Sequence, residues 1–183
     1  MYNQPASDTT RITIGPGIIY MGVTGTTPLI DVGAVTGKAT LLIERNEVEI
    51  RQGSPQTLIA KLAKQEDVSL EFTGLEWNLD RLAMVLMDGT TSLASAVEKL
   101  KVGGRPTATA WALRFVHKEA DGGTVEVDMW KVLGDSKIAI AIDADKPHEF
   151  PYKFWCMDPG STNWSGAALS DGQKLVQILR TKA

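Results

Sequence analysis

The alternation of apolar and polar residues changes phase within a predicted strand that runs from Leu41 to Ile50. Leu41 and Ile43 place apolar side chains at odd positions, whereas Val48 and Ile50 place them at even positions. A regular strand keeps one face on the core because its side chains alternate with a period of two. The pattern therefore predicts either a β-bulge within 44–47 or a strand whose far half leaves the core and packs against a different surface.

The polar positions of the same strand carry charges of both signs. They are Arg45, Glu47, Glu49 and Arg51. One interpretation is a face that is simply solvated, and the other is a charged contact between subunits. The residues alone leave both interpretations open.

The segment 56–64, which follows a Gly-Ser-Pro turn, fits two structures. Leu58, Ile59 and Leu62 have helical spacing, and the Ser-Pro step before them suits the start of a helix. Leu58, Ala60 and Leu62 also alternate as in a strand, and the position between two strands favours the returning arm of a hairpin. The segment is therefore either a short helix or a strand.

The clearest strand and the clearest helix come next in the chain. Val68, Leu70 and Phe72 alternate with polar residues, as expected for a half-buried antiparallel strand. Asn78 then caps a helix whose apolar stripe requires a sheet to cover. The residues predicted to pack this helix are Leu79, Leu82, Ala83 and Leu86.

Strands separated by short polar turns dominate the second half of the chain. The predicted strands are 107–118, 124–133, 138–142 and 150–157. The segment 93–100 is predicted as a weak helical turn, and 174–180 fits either a strand or a short helix. The predicted class is mainly β (α+β), an antiparallel β-sandwich or barrel with one flanking α-helix and a long projecting β-hairpin over 41–64.

Length and charge limit the classes of protein that fit. A chain of 183 residues supports one core, so we expect a single domain over 1–183 with a flexible N-terminal arm over 1–10. The net charge of −3, from 19 Lys and Arg against 22 Asp and Glu, argues against a basic surface that grips nucleic acid. Without a signal-like or membrane-spanning apolar run, we expect a soluble protein made in a cytoplasm.

The sequence indicates no catalytic, cofactor-binding or metal-binding residues. His117, His148 and Cys156 lack the spacing of metal ligands, and the surroundings of Cys156 are those of a buried, inert thiol. The segment 33–39 has too few residues between its glycines for a phosphate-binding loop, and Ala39 stands where Ser or Thr would hold magnesium. We therefore expect a protein that is not an enzyme.

The order of these elements resembles the major tail tube proteins of long-tailed, non-contractile bacteriophages. The similar features are GPGIIYMG near the N-terminus, the charged strand LLIERNEVEIR, the returning arm SPQTLIAKLAK, the strand EDVSLEFTGLE, the helix NLDRLAMVLM and the late strand YKFWCMD. Together they cover about residues 11–158. On this resemblance the whole chain is one tail-tube-like domain.

The resemblance implies six copies to a ring and rings stacked into a hollow tube. DNA would pass through the lumen without specific binding, and a lumen that is not basic suits that passage because basic walls would retain phosphates. The implied partners are further copies of the chain and other tail proteins such as the tape measure and tail terminator, with no membrane. The implied location is the virion tail, after synthesis in the host cytoplasm.

On the same resemblance the hairpin over 41–64 reaches a neighbouring subunit or ring, and 56–64 is extended. The implied subunit-interface residues are Arg45, Glu47, Glu49, Arg51, Leu58 and Ile59. Two other classes of function stay open. One is a monomeric β-barrel that binds a small ligand, which the many strands and aromatic residues favour. The other is a hydrolase whose carboxylates meet only in the folded protein.

Overall fold

The computed structural model describes residues 17–35, 38–86, 90–94, 97–103, 108–120, 122–135, 139–140, 145 and 148–182. Within these ranges the chain forms ten strands and one helix. In chain order they are β1 Ile18–Val23, β2 Ile30–Asp31, β3 Thr40–Gln52, β4 Thr57–Gly74, α1 Leu79–Leu86, β5 Thr90–Ala94, β6 Val97–Lys101, β7 Trp111–Lys118, β8 Thr124–Gly134, β9 Phe150–Cys156 and β10 Val176–Thr181.

Eight of the strands form one antiparallel sheet in the order β2-β1-β7-β8-β9-β4-β3, with β10 paired to β8 beside that path. β8 joins the two halves because its segment Thr124–Met129 pairs with β10, whereas Val132–Gly134 pairs with β9. β5 and β6 form a separate two-stranded sheet. The mainly β, antiparallel class predicted from the alternation is confirmed.

Both halves of the large sheet contribute to one hydrophobic core. Met21, Leu113 and Met129 come from β1, β7 and β8, whereas Leu70 and Phe154 come from β4 and β9. All five side chains are fully buried in the same cluster. The sheet therefore folds over on itself as a sandwich. It is not closed into a barrel among the described strands, since β2 and β3 lie at its two ends.

Helix α1 begins where the sequence places its cap. The backbone N–H of Arg81 donates to Asn78 Oδ1 at 3.2 Å, which satisfies one of the free donors in the first turn. Leu82 and Val85 are buried in the core. Of the other predicted packing residues, Leu79 and Leu86 are half-buried against the core and Ala83 is half-buried. In the described ranges no helix is both long and apolar enough to cross a membrane.

The structure corrects the prediction for one segment and settles the open alternative for another. The predicted helical turn at 93–100 is wrong, because β5 and β6 pair there as an antiparallel ribbon. The β-branched residues Thr90, Thr91 and Val97 favour extended backbone and outweigh the helical spacing. The undecided segment 174–180 mostly belongs to strand β10. The N-terminal arm 1–10 and most of the predicted strand 138–142 lie outside the described residues.

Candidate subunit interface

The hairpin of β3 and β4 extends beyond the rest of the sheet. β4 pairs with β9 over Ser69–Gly74, so among the described strands Thr57–Val68 pairs with β3 alone. From Leu42 through Glu66 the side chains are solvent-exposed apart from a half-buried Ala60. The predicted projecting hairpin is therefore confirmed as a ribbon with both faces in solvent.

The returning arm of this hairpin is a strand, and the short-helix alternative for 56–64 is wrong. Its residues pair along β3 with two interruptions of register, one between Asn46 and Glu47 and one between Ile50 and Arg51. At each interruption one residue of β4, Lys64 or Ile59, has no directly opposite partner. The interruption next to Glu47 lies within the predicted range 44–47, but the extra residue of this bulge, Lys64, is on the returning strand.

One face of the outer hairpin is charged, and its charges pair with one another. We define this charged hairpin face as Glu47, Glu49, Arg51 and Lys61. Arg51 Nη2 lies 2.6 Å from Glu49 Oε2, and Lys61 Nζ lies 3.4 Å from Glu49 and 3.5 Å from Glu47. The hydrogen bonds from Arg51 and then Lys61 lower the pKa of Glu49, and Glu49 and then Glu47 raise the pKa of Lys61.

The remaining predicted interface residues lie near this face. Arg45 forms an ion pair with Glu66, its neighbour in the cross-strand register. Leu58 is opposite Arg51, and Ile59 is the unpaired bulge residue. Both apolar side chains are exposed, Leu58 by 40% and Ile59 by 58%. The structure therefore brings the six predicted residues onto one projecting element, with the four charged ones neutralised within the subunit.

The opposite face of the outer hairpin is apolar. Residues directly opposite in an antiparallel pair share a face, and the register pairs Val48 with Leu62 and Ile50 with Ala60. We define these four residues as the apolar hairpin face. Val48, Ile50 and Leu62 are exposed by 49%, 43% and 57%. Three large apolar side chains therefore lie together on one face of an exposed ribbon.

The sequence contains the signal for this face in its phase change. Leu41 and Ile43 share a face with Val68 and Leu70 at the base of the hairpin, on the side of the core. Five residues beyond Ile43, the apolar positions move to the opposite face, beginning at Val48. At the base of the hairpin the apolar residues of β3 lie on the side of the core. In its outer part they lie on the opposite side, where no described part of the subunit packs against them.

An open groove of about 520 Å³ lies at the base of the hairpin, between Ile43 and the segment that precedes β10. Lys174 Nζ in this groove lies 3.2 Å from Asp171 and 3.8 Å from Asp158. Asp171 and then Asp158 raise the pKa of Lys174. The groove thus combines apolar side chains with a lysine that is paired to two aspartates.

The cysteine and histidine side chains considered as possible metal ligands lie in the following surroundings. Within the described ranges, no three His, Cys, Asp or Glu side chains converge closely enough to hold a metal ion. Burial raises the pKa of the Cys156 thiol to about 12, because an apolar environment disfavours the thiolate. His117 is buried with Nε2 unpartnered among the described residues.

Comparison with solved structures finds a structural neighbour of low similarity. No protein-family model matches the chain, and no curated protein is similar to it. A solved chain from the tail of an empty GTA particle, obtained by helical refinement with C6 symmetry, has a TM-score of 0.44 and 8% sequence identity. The alignment covers 77% of this chain and 90% of that chain. A similarity of this size does not identify a function.

Proposed function

We propose that this chain is a structural subunit that self-assembles into the tail tube of a phage-like particle. Six copies would form a ring, rings would stack, and DNA would pass through the lumen without specific binding. The role is structural and not catalytic. The order of elements in the sequence supports this proposal through its resemblance to tail tube proteins.

The observation that carries the proposal is the exposed hairpin. A ribbon of two strands with both faces in water is marginally stable by itself, so a long projecting hairpin is expected to be completed by other surfaces. Val48, Ile50 and Leu62 offer apolar area that no described part of the same subunit covers. Burial of such area is the main favourable term in protein association. In a self-assembling protein, further copies of the chain would cover this apolar area.

Removal of the outer hairpin tests the proposal. Asn46 and Gln65 are directly paired, so an Asn-Gly turn can replace 47–64 and close the ribbon at that pair. We call this protein the truncated variant. It keeps the core strands, because β4 pairs with β9 only from Ser69 onward. We expect it to fold with a cooperative thermal transition, since its core strands are kept, and to stay monomeric.

The measurement is sedimentation velocity and negative-stain microscopy over a concentration series, with the full chain as control. The full chain should form rings or tubes as its concentration rises. A full chain that stays monomeric throughout, even with tail initiator proteins added, would overturn the proposal and favour the monomeric ligand-binding alternative. A truncated variant that assembles like the full chain would remove the hairpin from the contact.

A further inference from the structure

An unneutralised acidic pair lies on the same side of the hairpin as the apolar hairpin face. Glu44 and Asp67 are directly opposite each other in the register, and like charges in that position are destabilising. Asp67 Oδ2 accepts a hydrogen bond of 2.6 Å from Gln65, which is neutral. Among the described residues neither carboxylate has an ion-pair partner. On this side of the hairpin, two carboxylates without an ion-pair partner among the described residues lie nearer the base, and the apolar hairpin face lies nearer the tip.

A surface of opposite character lies on the small two-stranded sheet. Val97, Lys99 and Lys101 alternate along β6 and share one face, which we define as the basic β6 face. All three side chains are exposed, and Val97 is 52% exposed. The cross-strand neighbours of the two lysines are Ser92 and Thr90, which carry no charge. The lysines have no ion-pair partner in the described part of the chain.

The two surfaces match in spacing as well as in charge. Glu44 and Val48 are four residues apart on one face of β3, and Lys101 and Val97 are four residues apart on one face of β6. Four residues of strand span about 13 Å. Two ribbons packed face to face would therefore set Lys101 beside Glu44 and Asp67 and Val97 beside Val48, with Lys99 one pair further along at the level of Asn46. Both surfaces are in solvent within one subunit, so the contact joins two copies.

We propose that the basic β6 face of one copy docks on the side of the hairpin formed by the acidic pair and the apolar hairpin face of a second copy. This inference rests on the proposed function, because it names the partner surface for the exposed hairpin. Complementary charge would fix the register of the two ribbons, and apolar burial would hold them together. The contact is heterologous, since each copy uses a different surface toward each neighbour.

Reciprocal charge reversal tests the contact. One variant carries Glu44→Lys with Asp67→Lys, and the other carries Lys99→Glu with Lys101→Glu. Each variant alone would oppose like charges at every contact, so we expect the concentration for half-maximal assembly to rise about tenfold or more. An equimolar mixture of the two should assemble like the unchanged chain, because every contact between unlike variants restores opposite charges.

Two controls accompany this test. Glu98→Lys reverses an exposed acid on the other face of β6 and should leave assembly unchanged. Thermal midpoints of all variants should stay within a few degrees, since exposed charges contribute little to stability. If the full chain assembles but the mixture does not, or if each variant alone assembles normally, this contact is wrong and the proposed function stands. If the full chain never assembles, both fail.

Discussion

At the scale of single residues, two buried carboxylates are each paired with an arginine. Asp128 is 2% exposed and accepts two hydrogen bonds from Arg114, at 2.7 and 3.0 Å. Glu119, whose side chain is 2% exposed, accepts hydrogen bonds from Arg180 Nε at both carboxylate oxygens, at 2.8 and 3.0 Å. A buried charge that loses its partner is far more destabilising than an exposed one. These pairs link β7 to β8 and the turn after β7 to β10, so they stabilise the sandwich from within.

The first prediction compares a buried with an exposed ion pair. Arg114→Ala should lower the free energy of unfolding by about 3–5 kcal/mol, because the carboxylate of Asp128 stays buried without its cation. Arg51→Ala, the matched control on the charged hairpin face, should change it by less than about 1 kcal/mol. Urea unfolding at neutral pH measures both. Equal effects would show that Asp128 is rehydrated in the variant.

The second prediction concerns the single thiol. Burial raises the pKa of Cys156 from an ordinary value of 9.0 to about 12, so at pH 8 the native protein holds about 1,000-fold less thiolate than the unfolded chain. The native thiol should therefore react with iodoacetamide at least about 100-fold more slowly than in urea. The neutral thiol is the form that the fold favours, so its contribution to stability is complete below pH 9 and is lost as pH rises toward 12. Mass spectrometry of labelled protein measures the rate. Fast native labelling would mean that the residue is accessible.

At the scale of elements, the parts that sequence predicts correctly are those with local signals. The strand of Val68, Leu70 and Phe72 follows from strict alternation, and the helix follows from the Asn78 cap and its apolar spacing. Val85 was not in the predicted packing stripe although it is fully buried. Its burial depends on how the helix is rotated against the sheet, which helical spacing alone does not specify.

The faces of the hairpin could not be assigned from sequence because they depend on register. A shift of one residue moves every side chain to the other face, and the shifts at Ile59 and Lys64 are set by pairing in three dimensions. Only the observed register places Lys61 between Glu47 and Glu49. The sequence therefore predicted a projecting, charged arm. It did not predict that the charges neutralise one another while the apolar residues gather opposite.

The third prediction tests the charged hairpin face, which stays a predicted contact of its own. Glu47→Lys with Glu49→Lys removes the partners of Lys61 and Arg51 and should make assembly weaker and strongly dependent on salt. The thermal midpoint of the monomer should hardly move, because exposed pairs contribute little. Light scattering across a salt series measures the change. Assembly that is unchanged at every salt concentration would assign this face to solvent and leave the apolar face as the contact of the hairpin.

For the whole molecule, the arrangement of surfaces determines the kind of assembly. The outer hairpin and the basic β6 face are different patches, so a contact between them joins copies head to tail. Such contacts close into rings when the rotation between copies closes, and otherwise continue as filaments. A contact of one patch with itself would instead stop at a pair. A contact between the outer hairpin and the basic β6 face therefore allows an assembly to add copies continuously in one direction.

The last prediction uses this direction. The truncated variant lacks 47–64 but keeps the basic β6 face, so it can dock on the free hairpin of a growing assembly. It then offers no complete hairpin to the next copy, and growth should stop there. A tenth of the subunits in this form should shorten the tubes seen by negative-stain microscopy. The same truncation combined with Lys99→Glu and Lys101→Glu should have no effect, because that protein has lost both surfaces. Equal shortening by both proteins, or by neither, would mean that growth is not head to tail through these patches.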